Sequence, residues 1–241
     1  MSDNIAMESI LSRVIELLDT HKIHYWVTDG TLLGIIRENR LLPWDSDIDV
    51  GVWRSEVSTV DIIKMFEKNG FEYIETLPDM HCLHFLINNI QVDIGLYSKN
   101  DKEVSIKWAT HSSKIFDMLV VKIIAVIFDS QKRTVRFRNE KRFSILLSKH
   151  LIGIFGYFLT KNIKEKIYNY ARNRYVYLGS TYPVELLKFK TIEFKDIEVV
   201  VPINSDEYLR LNYGELWRTP NQDYVWEKDT FNLKAFIDQK K

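Results

Sequence analysis

Three aspartates in two alternating stretches are the residues best placed to do chemistry. In Asp47–Trp53, Asp47, Asp49, Gly51 and Trp53 fall on one side of an extended strand. Ile48, Val50 and Val52 fall on the other. Carboxylates two residues apart on a strand share a face, with Cα atoms about 6.5–7 Å apart. Like charges so placed repel unless something positive lies between them. A hard divalent cation such as Mg²⁺ meets that need, because it takes carboxylate oxygens and keeps places for phosphate oxygens. The apolar opposite face can anchor the strand in a core. Taken alone, Asp-x-Asp also describes a polar edge strand with solvated acids. A second stretch shifts the balance. In Ile90–Tyr97, Ile90, Val92, Ile94 and Leu96 face one way and Gln91, Asp93, Gly95 and Tyr97 the other. If the two strands are neighbours, three carboxylates converge.

Upstream, Asp29-Gly30-Thr31 precedes a short helical pattern at Leu32–Arg37. Backbone N–H groups at such a turn can hold a phosphate. Arg37 follows within two turns and can add a bidentate contact. A Gly-Thr turn, an arginine, two acids on one strand and a third on another form a metal-assisted phosphoryl-transfer site.

The other polar candidates are weaker. His81 and His84 are three apart in an expected strand and face opposite ways, so they do not form a metal pair. Cys82 has no evident base. His24 and His111 are isolated and read as structural. Tyr213, Trp217, Tyr224 and Trp226 make an aromatic-rich tail with Arg218, Lys228 and Asp229 beside it. These rings either pack against the core or wall a base or sugar site.

The elements that must position these residues can be read from spacing. Met7, Ile10, Leu11, Val14, Leu17 and Leu18 recur at threes and fours, giving an amphipathic helix over 5–18. His24–Thr28 reads as a short strand. Glu56–Lys68 reads as a helix stopped by Asn69-Gly70. Phe71–Leu77, His81–Asn88 and Ile90–Tyr97 read as strands, with a hairpin turn at Asn88-Asn89. Ile115–Phe128 is an apolar helix candidate. Thr191–Val201 is a small hairpin turning at Lys195-Asp196. Asn204 is an N-cap with Glu207 as its capping-box partner, and Gly214 ends that helix.

A basic cluster, Lys132, Arg133, Arg136, Arg138, Lys141 and Arg142, precedes the almost wholly apolar run 143–160. The run is close to the ~20 residues that span a bilayer. Lys149 and His150 near its middle argue against a bare span. It reads either as a buried helix or as one lying on an anionic membrane surface.

The 241 residues carry 33 Lys+Arg against 33 Asp+Glu, so bulk charge gives no sign of nucleic-acid binding. One cysteine excludes an intramolecular disulfide and a cysteine-built zinc site. The polar N-terminus lacks a signal-peptide pattern, and the expected location is cytoplasmic, peripheral at the inner membrane face if the basic segment binds lipid.

Gly30-Thr31-Leu32-Leu33-Gly34, Arg37 and Pro43-Trp44-Asp45-Ser46-Asp47-Ile48-Asp49 closely resemble the signature of the LicD/fukutin family. Val92-Asp93-Ile94 is similar to its later Val/Ile-Asp-Ile. Phe194, Val201-Pro202, Tyr208-Leu209, Tyr213-Gly214, Trp217 and Thr219-Pro220 resemble its closing pattern. Ser46 departs from it, since the family usually has another aspartate there.

The resemblance implies an α/β nucleotidyltransferase-like mixed sheet flanked by helices. Residues 1–130 would form the catalytic core, 131–180 a helical insertion, and 181–241 a segment returning to the cleft. It implies transfer of ribitol phosphate, glycerol phosphate or phosphocholine from a CDP-activated donor to a sugar hydroxyl of a glycan, with release of CMP. Asp47 and Asp49, with Asp93 touching, would bind Mg²⁺ or Mn²⁺. Asp93 would deprotonate the acceptor. Gly30, Thr31 and Arg37 would hold the diphosphate, and Asp45 would lie behind the metal ligands. Trp217, Arg218 and Trp226 would line the substrate. The rival readings are a nucleotidyltransferase acting on a small molecule and a catalytically silent glycan-binding protein.

Overall fold

The computed structural model describes residues 2–74, 81–111, 175–224 and 229–236, with isolated positions at 163 and 166. The chain divides into two units. The first comprises Met1–Tyr73, His81–Lys107 and Gly179–Lys234; the second comprises Ile74–Met80, Trp108–Leu178 and Ala235–Lys241. Every described acid of the candidate site lies in the first.

Helix α1 (Ser2–Thr20) buries the expected stripe, including Leu11, Val14 and Leu18. Strand β1 (Tyr25–Val27) leads to helix α2 (Asp29–Glu38) and strand β2 (Asp47–Trp53). Helix α3 (Thr59–Lys68) starts at Ser58, whose hydroxyl accepts from the Asp61 N–H, and ends at Asn69. The next residue, Gly70, has φ +84°, a conformation that suits glycine. Strands β3 (Glu72–Ile74), β4 (Cys82–Ile87), β5 (Ile90–Lys99) and β6 (Glu103–His111) follow. Asn88 and Asn89, both at positive φ, turn β4 into β5 in a two-residue hairpin.

After β7 (Tyr175–Pro183) and a short 3₁₀ turn, β8 (Phe189–Phe194) and β9 (Ile197–Pro202) pair as a separate hairpin. Helix α4 (Ser205–Tyr213) and strand β10 (Leu233–Phe236) complete the described chain. The Asn204 side chain caps α4 by accepting from the Glu207 N–H at 3.3 Å.

The main sheet has eight strands in the order β1-β2-β5-β6-β7-β10, with β3 and β4 off that path. It is mixed. β2 runs parallel to β5 and antiparallel to β1, while β4 lies antiparallel along the first part of β5. This is the expected α/β class. β6 was not anticipated, although Val104 and Ile106 alternate with polar residues and are buried. The expected helices at 115–128 and 143–160 lie outside the described residues.

The two faces of β2 have different fates. Ile48, Val50 and Val52 are buried. On the acid-bearing face, Gly51 leaves room for Trp26: a Cβ there would come within 2.5 Å of the indole. Trp26 packs against Trp53, Tyr97 and Phe189, with ring centroids 4.7, 5.1 and 4.6 Å away. One end of this face is therefore aromatic and closed, and the acids occupy the other.

Candidate active site

Register brings the acids together. β2 and β5 pair so that Asp49 lies directly opposite Asp93, and Asp47 opposite Gln91. Neighbouring strands are about 4.7–4.9 Å apart, so the expected juxtaposition of Asp47, Asp49 and Asp93 follows from two in-register alternating strands. Asp45, just ahead of β2, joins them. The carboxylate oxygens of Asp45, Asp47 and Asp49 lie within 4.8 Å of one another.

α2 begins earlier than the sequence suggests, at Asp29 rather than Leu32. Gly30 and Thr31 are thereby drawn into its first turn, against β2. The Gly30 N–H donates to Asp49 Oδ2 at 3.1 Å, and the Asp49 N–H donates to Thr31 Oγ1 at 2.8 Å. Both groups hold the acid-bearing strand. Gly30 also makes space, since a Cβ there would collide with the Asp45 carboxylate.

Arg37 lies inward, its side chain 7% exposed. It pairs with Glu38 at 2.7 Å and donates to the Trp217 carbonyl at 3.2 Å. Trp217 is buried, while Arg218 stacks over its ring and pairs with Asp206. Trp226 lies outside the described residues.

Asp29 is a site residue that sequence reasoning missed. Its backbone holds φ +43°, unusual for a non-glycine residue. The Thr28 hydroxyl donates to its Oδ2 at 2.6 Å, and Asn212 Nδ2 on α4 donates to its Oδ1 at 3.2 Å. Burial, with the charges of Asp47 and Asp93, pushes its pKa up to about 6 despite the Thr28 bond. Burial likewise raises Asp49 well above the carboxylate range, with Asp47, Asp29, Asp45 and Asp93 adding to it. The one signal in the sequence was an acid directly before the Gly-Thr pair.

Asp47 and Asp49 are crowded oxygen donors and, among the described residues, neither pairs with a lysine or arginine. That is the condition a hard divalent cation relieves, so these residues fit Mg²⁺ or Mn²⁺.

The two histidines go to different partners, His81 to Arg54 and His84 to Asp93. Cys82 lies in a second cluster with His84 and Asp93. Burial pushes its thiol well up, away from the reactive thiolate, and Asp93 adds to this.

Residues 22–118 match the family model described as LicD/FKTN/FKRP, nucleotidyltransferase domain. The ribitol 5-phosphate transferase FKRP of Mus musculus is 24% identical over 119 residues, 46% of this chain and 24% of that one. The ribitol-5-phosphate transferase FKTN of Mus musculus is 20% identical over 227 residues, 94% of this chain and 36% of that one. The lipopolysaccharide cholinephosphotransferase LicD of Haemophilus influenzae is 35% identical over 72 residues, 30% of this chain and 27% of that one. The matches thus span between 24% and 36% of these relatives. The matched segment 22–118 contains α2, β2 and β5, the elements that carry the acids, and this segment is similar to the nucleotidyltransferase domain of the LicD/fukutin family.

Proposed function

We propose that the protein is a metal-dependent transferase that moves a phospho-alcohol from a CDP-activated donor to a hydroxyl of a glycan, releasing CMP. The observation that carries this reading is the in-register convergence of Asp47, Asp49 and Asp93 on one sheet face, joined by Asp45 just ahead of β2. The family match and the relatives named ribitol-phosphate and choline phosphotransferases support the class of cargo.

Asp45, Asp47 and Asp49 would hold Mg²⁺ or Mn²⁺, with Asp93 at its edge. A bound divalent cation neutralises charge on the donor diphosphate and on the departing CMP. Asp93, on a different strand, approaches from the acceptor side. Its carboxylate takes the proton of the incoming hydroxyl as the oxygen bonds to phosphorus, which requires contact within about 2.6–3.2 Å. Gly30 and Thr31 keep Asp49 in place, and they border the donor site as part of the α2 N-terminus. Arg37 braces the rim through Trp217, and Arg218 is the exposed cation beside it.

The test is CMP release from CDP-ribitol, CDP-glycerol and CDP-choline with Mg²⁺ and a glycan acceptor, beside a thermal-shift panel that adds CTP and ATP. Metal-dependent CMP release supports the proposal. Stabilisation by CTP or ATP with pyrophosphate release would favour nucleotidyl transfer instead. No turnover and no nucleotide-induced shift would favour a silent binding protein.

A further inference from the structure

A row of three polar side chains crosses the acid face of the sheet. His84 on β4 lies opposite Asp93 on β5, and Asp93 lies opposite Asp49 on β2. The imidazole is in contact with the acid: His84 Nδ1 is 2.8 Å from Asp93 Oδ1. Gln91, two residues before Asp93 on the same face, donates from Nε2 to Oδ1 at 2.9 Å and to Oδ2 at 3.1 Å. The His84 and Asp93 side chains are only 18% and 16% exposed, so water competes little for these bonds.

A carboxylate has about two acceptor positions on each oxygen. Asp93 Oδ1 receives both His84 and Gln91, which fills it. Among the described residues, Oδ2 receives only the weaker Gln91 contact and keeps a position open. The arrangement therefore makes the two oxygens unequal, one tethered and one available.

We infer that His84, assisted by Gln91, is a positioning residue that fixes the Asp93 carboxylate so that Oδ2 meets the acceptor hydroxyl. The inference rests on the transfer reading above. Donation to a carboxylate requires the proton to sit on Nδ1, so the ring also has a fixed role: it supplies a donor and takes no proton from substrate at that atom. A neighbour that orients a reactive carboxylate in this way typically carries about 10–100-fold of activity.

Two isosteres separate this role from bulk packing. The Asn side-chain amide falls near the position of the histidine Nδ1, whereas the Gln amide falls near that of Nε2. H84A and H84Q should lose about 10–100-fold in kcat with little change in donor KM, and H84N should recover most of that loss. A second readout needs no turnover. In NMR, the Nδ1 proton of His84, held against Asp93, should give a far-downfield resonance that D93A removes.

H84A turning over at the wild-type rate would overturn the inference, as would a folded H84N no faster than H84A. A protein that transfers but lacks the resonance also overturns it. A protein that shows the resonance but uses no CDP-alcohol supports the pairing while refuting the transfer reading, so the two failures are distinguishable.

Discussion

Asp49 shows how one residue can be both essential and destabilising. It is half-buried, faces several other acids, and has the Gly30 N–H as a hydrogen-bond donor. Removing its charge should relieve the fold while disabling the site. D47N and D49N are each expected to abolish turnover in Mg²⁺ and to melt, without metal, no lower than wild type. Normal turnover by either variant would remove these acids from the metal site.

The same crowding predicts a pH dependence. Asp29 is raised from 3.8 to about 6, and Asp49 well above its ordinary value. A raised folded-state pKa means that the fold favours the protonated form. The associated stability is complete below the unfolded value near 3.8 and is lost as pH rises through about 6. For Asp29 alone this is on the order of 3 kcal/mol, at about 1.4 kcal/mol per pKa unit. Metal-free protein should therefore melt at a lower temperature at pH 7.5 than at pH 5 (both roughly chosen to bracket the shift), and Mg²⁺ should close most of the gap. A melting temperature that is flat or rising over that range in chelator would contradict the burial of these acids.

At the scale of elements, α4 is tied to the acids through one buried side chain. Asn212 donates to Asp29 from Nδ2 and accepts from the Tyr182 hydroxyl at 2.9 Å. Tyr182 stacks on Tyr208, whose hydroxyl meets that of Tyr97 on β5. Substituting Asn212 with alanine would remove one of the partners of the buried Tyr182 hydroxyl, which also meets Tyr208 and Ser180, and strip one donor from Asp29, costing about 1–3 kcal/mol. A double-mutant cycle with D29N should show coupling of about 0.5–3 kcal/mol. N212A should also slow transfer although Asn212 is not among the metal-facing acids. Additive losses in the cycle would mean that α4 and α2 are not linked through this bond.

Elements governed by local rules were legible in the sequence. β2 and β5 announce themselves by strict alternation, and the Asn88-Asn89 and Lys195-Asp196 turns locate two hairpins. Juxtaposition of Asp49 and Asp93 could be stated only as a condition, because alternation fixes a face and not a neighbour. The start of α2 was misplaced for a physical reason. Asp29 and Gly30 look like helix breakers, but the helix tolerates them because Gly30 gives way to Asp45 and its N–H reaches Asp49. The Asn212–Asp29 bond joins residues 183 apart, and no periodicity reports such a contact. His84 was set aside as half of a histidine pair. Its partner is an aspartate on the next strand, which only the register reveals.

At the scale of the whole molecule, charge is balanced overall but uneven along the chain. Lys132, Arg133, Arg136, Arg138, Lys141 and Arg142 lie within eleven positions and lead into the apolar run 143–160. These residues fall outside the described structure, and among the described residues no helix is long and apolar enough to cross a membrane. Basic residues next to an anionic lipid surface contribute about 1 kcal/mol each, within a Debye length that shrinks from about 30 Å at 0.01 M salt to about 3 Å at 1 M. An adjacent apolar run adds attraction that salt does not screen. The two together predict binding to phosphatidylserine-containing vesicles that is strong at low salt and weakened at high salt, with little binding to neutral phosphatidylcholine vesicles. Neutralising all six basic residues to glutamine should abolish the difference between the two lipids. Co-sedimentation decides the matter: wild-type protein that stays in the supernatant with anionic vesicles at low salt would make the run ordinary core. Protein that sediments equally with both lipids would show that the apolar residues act without the charges.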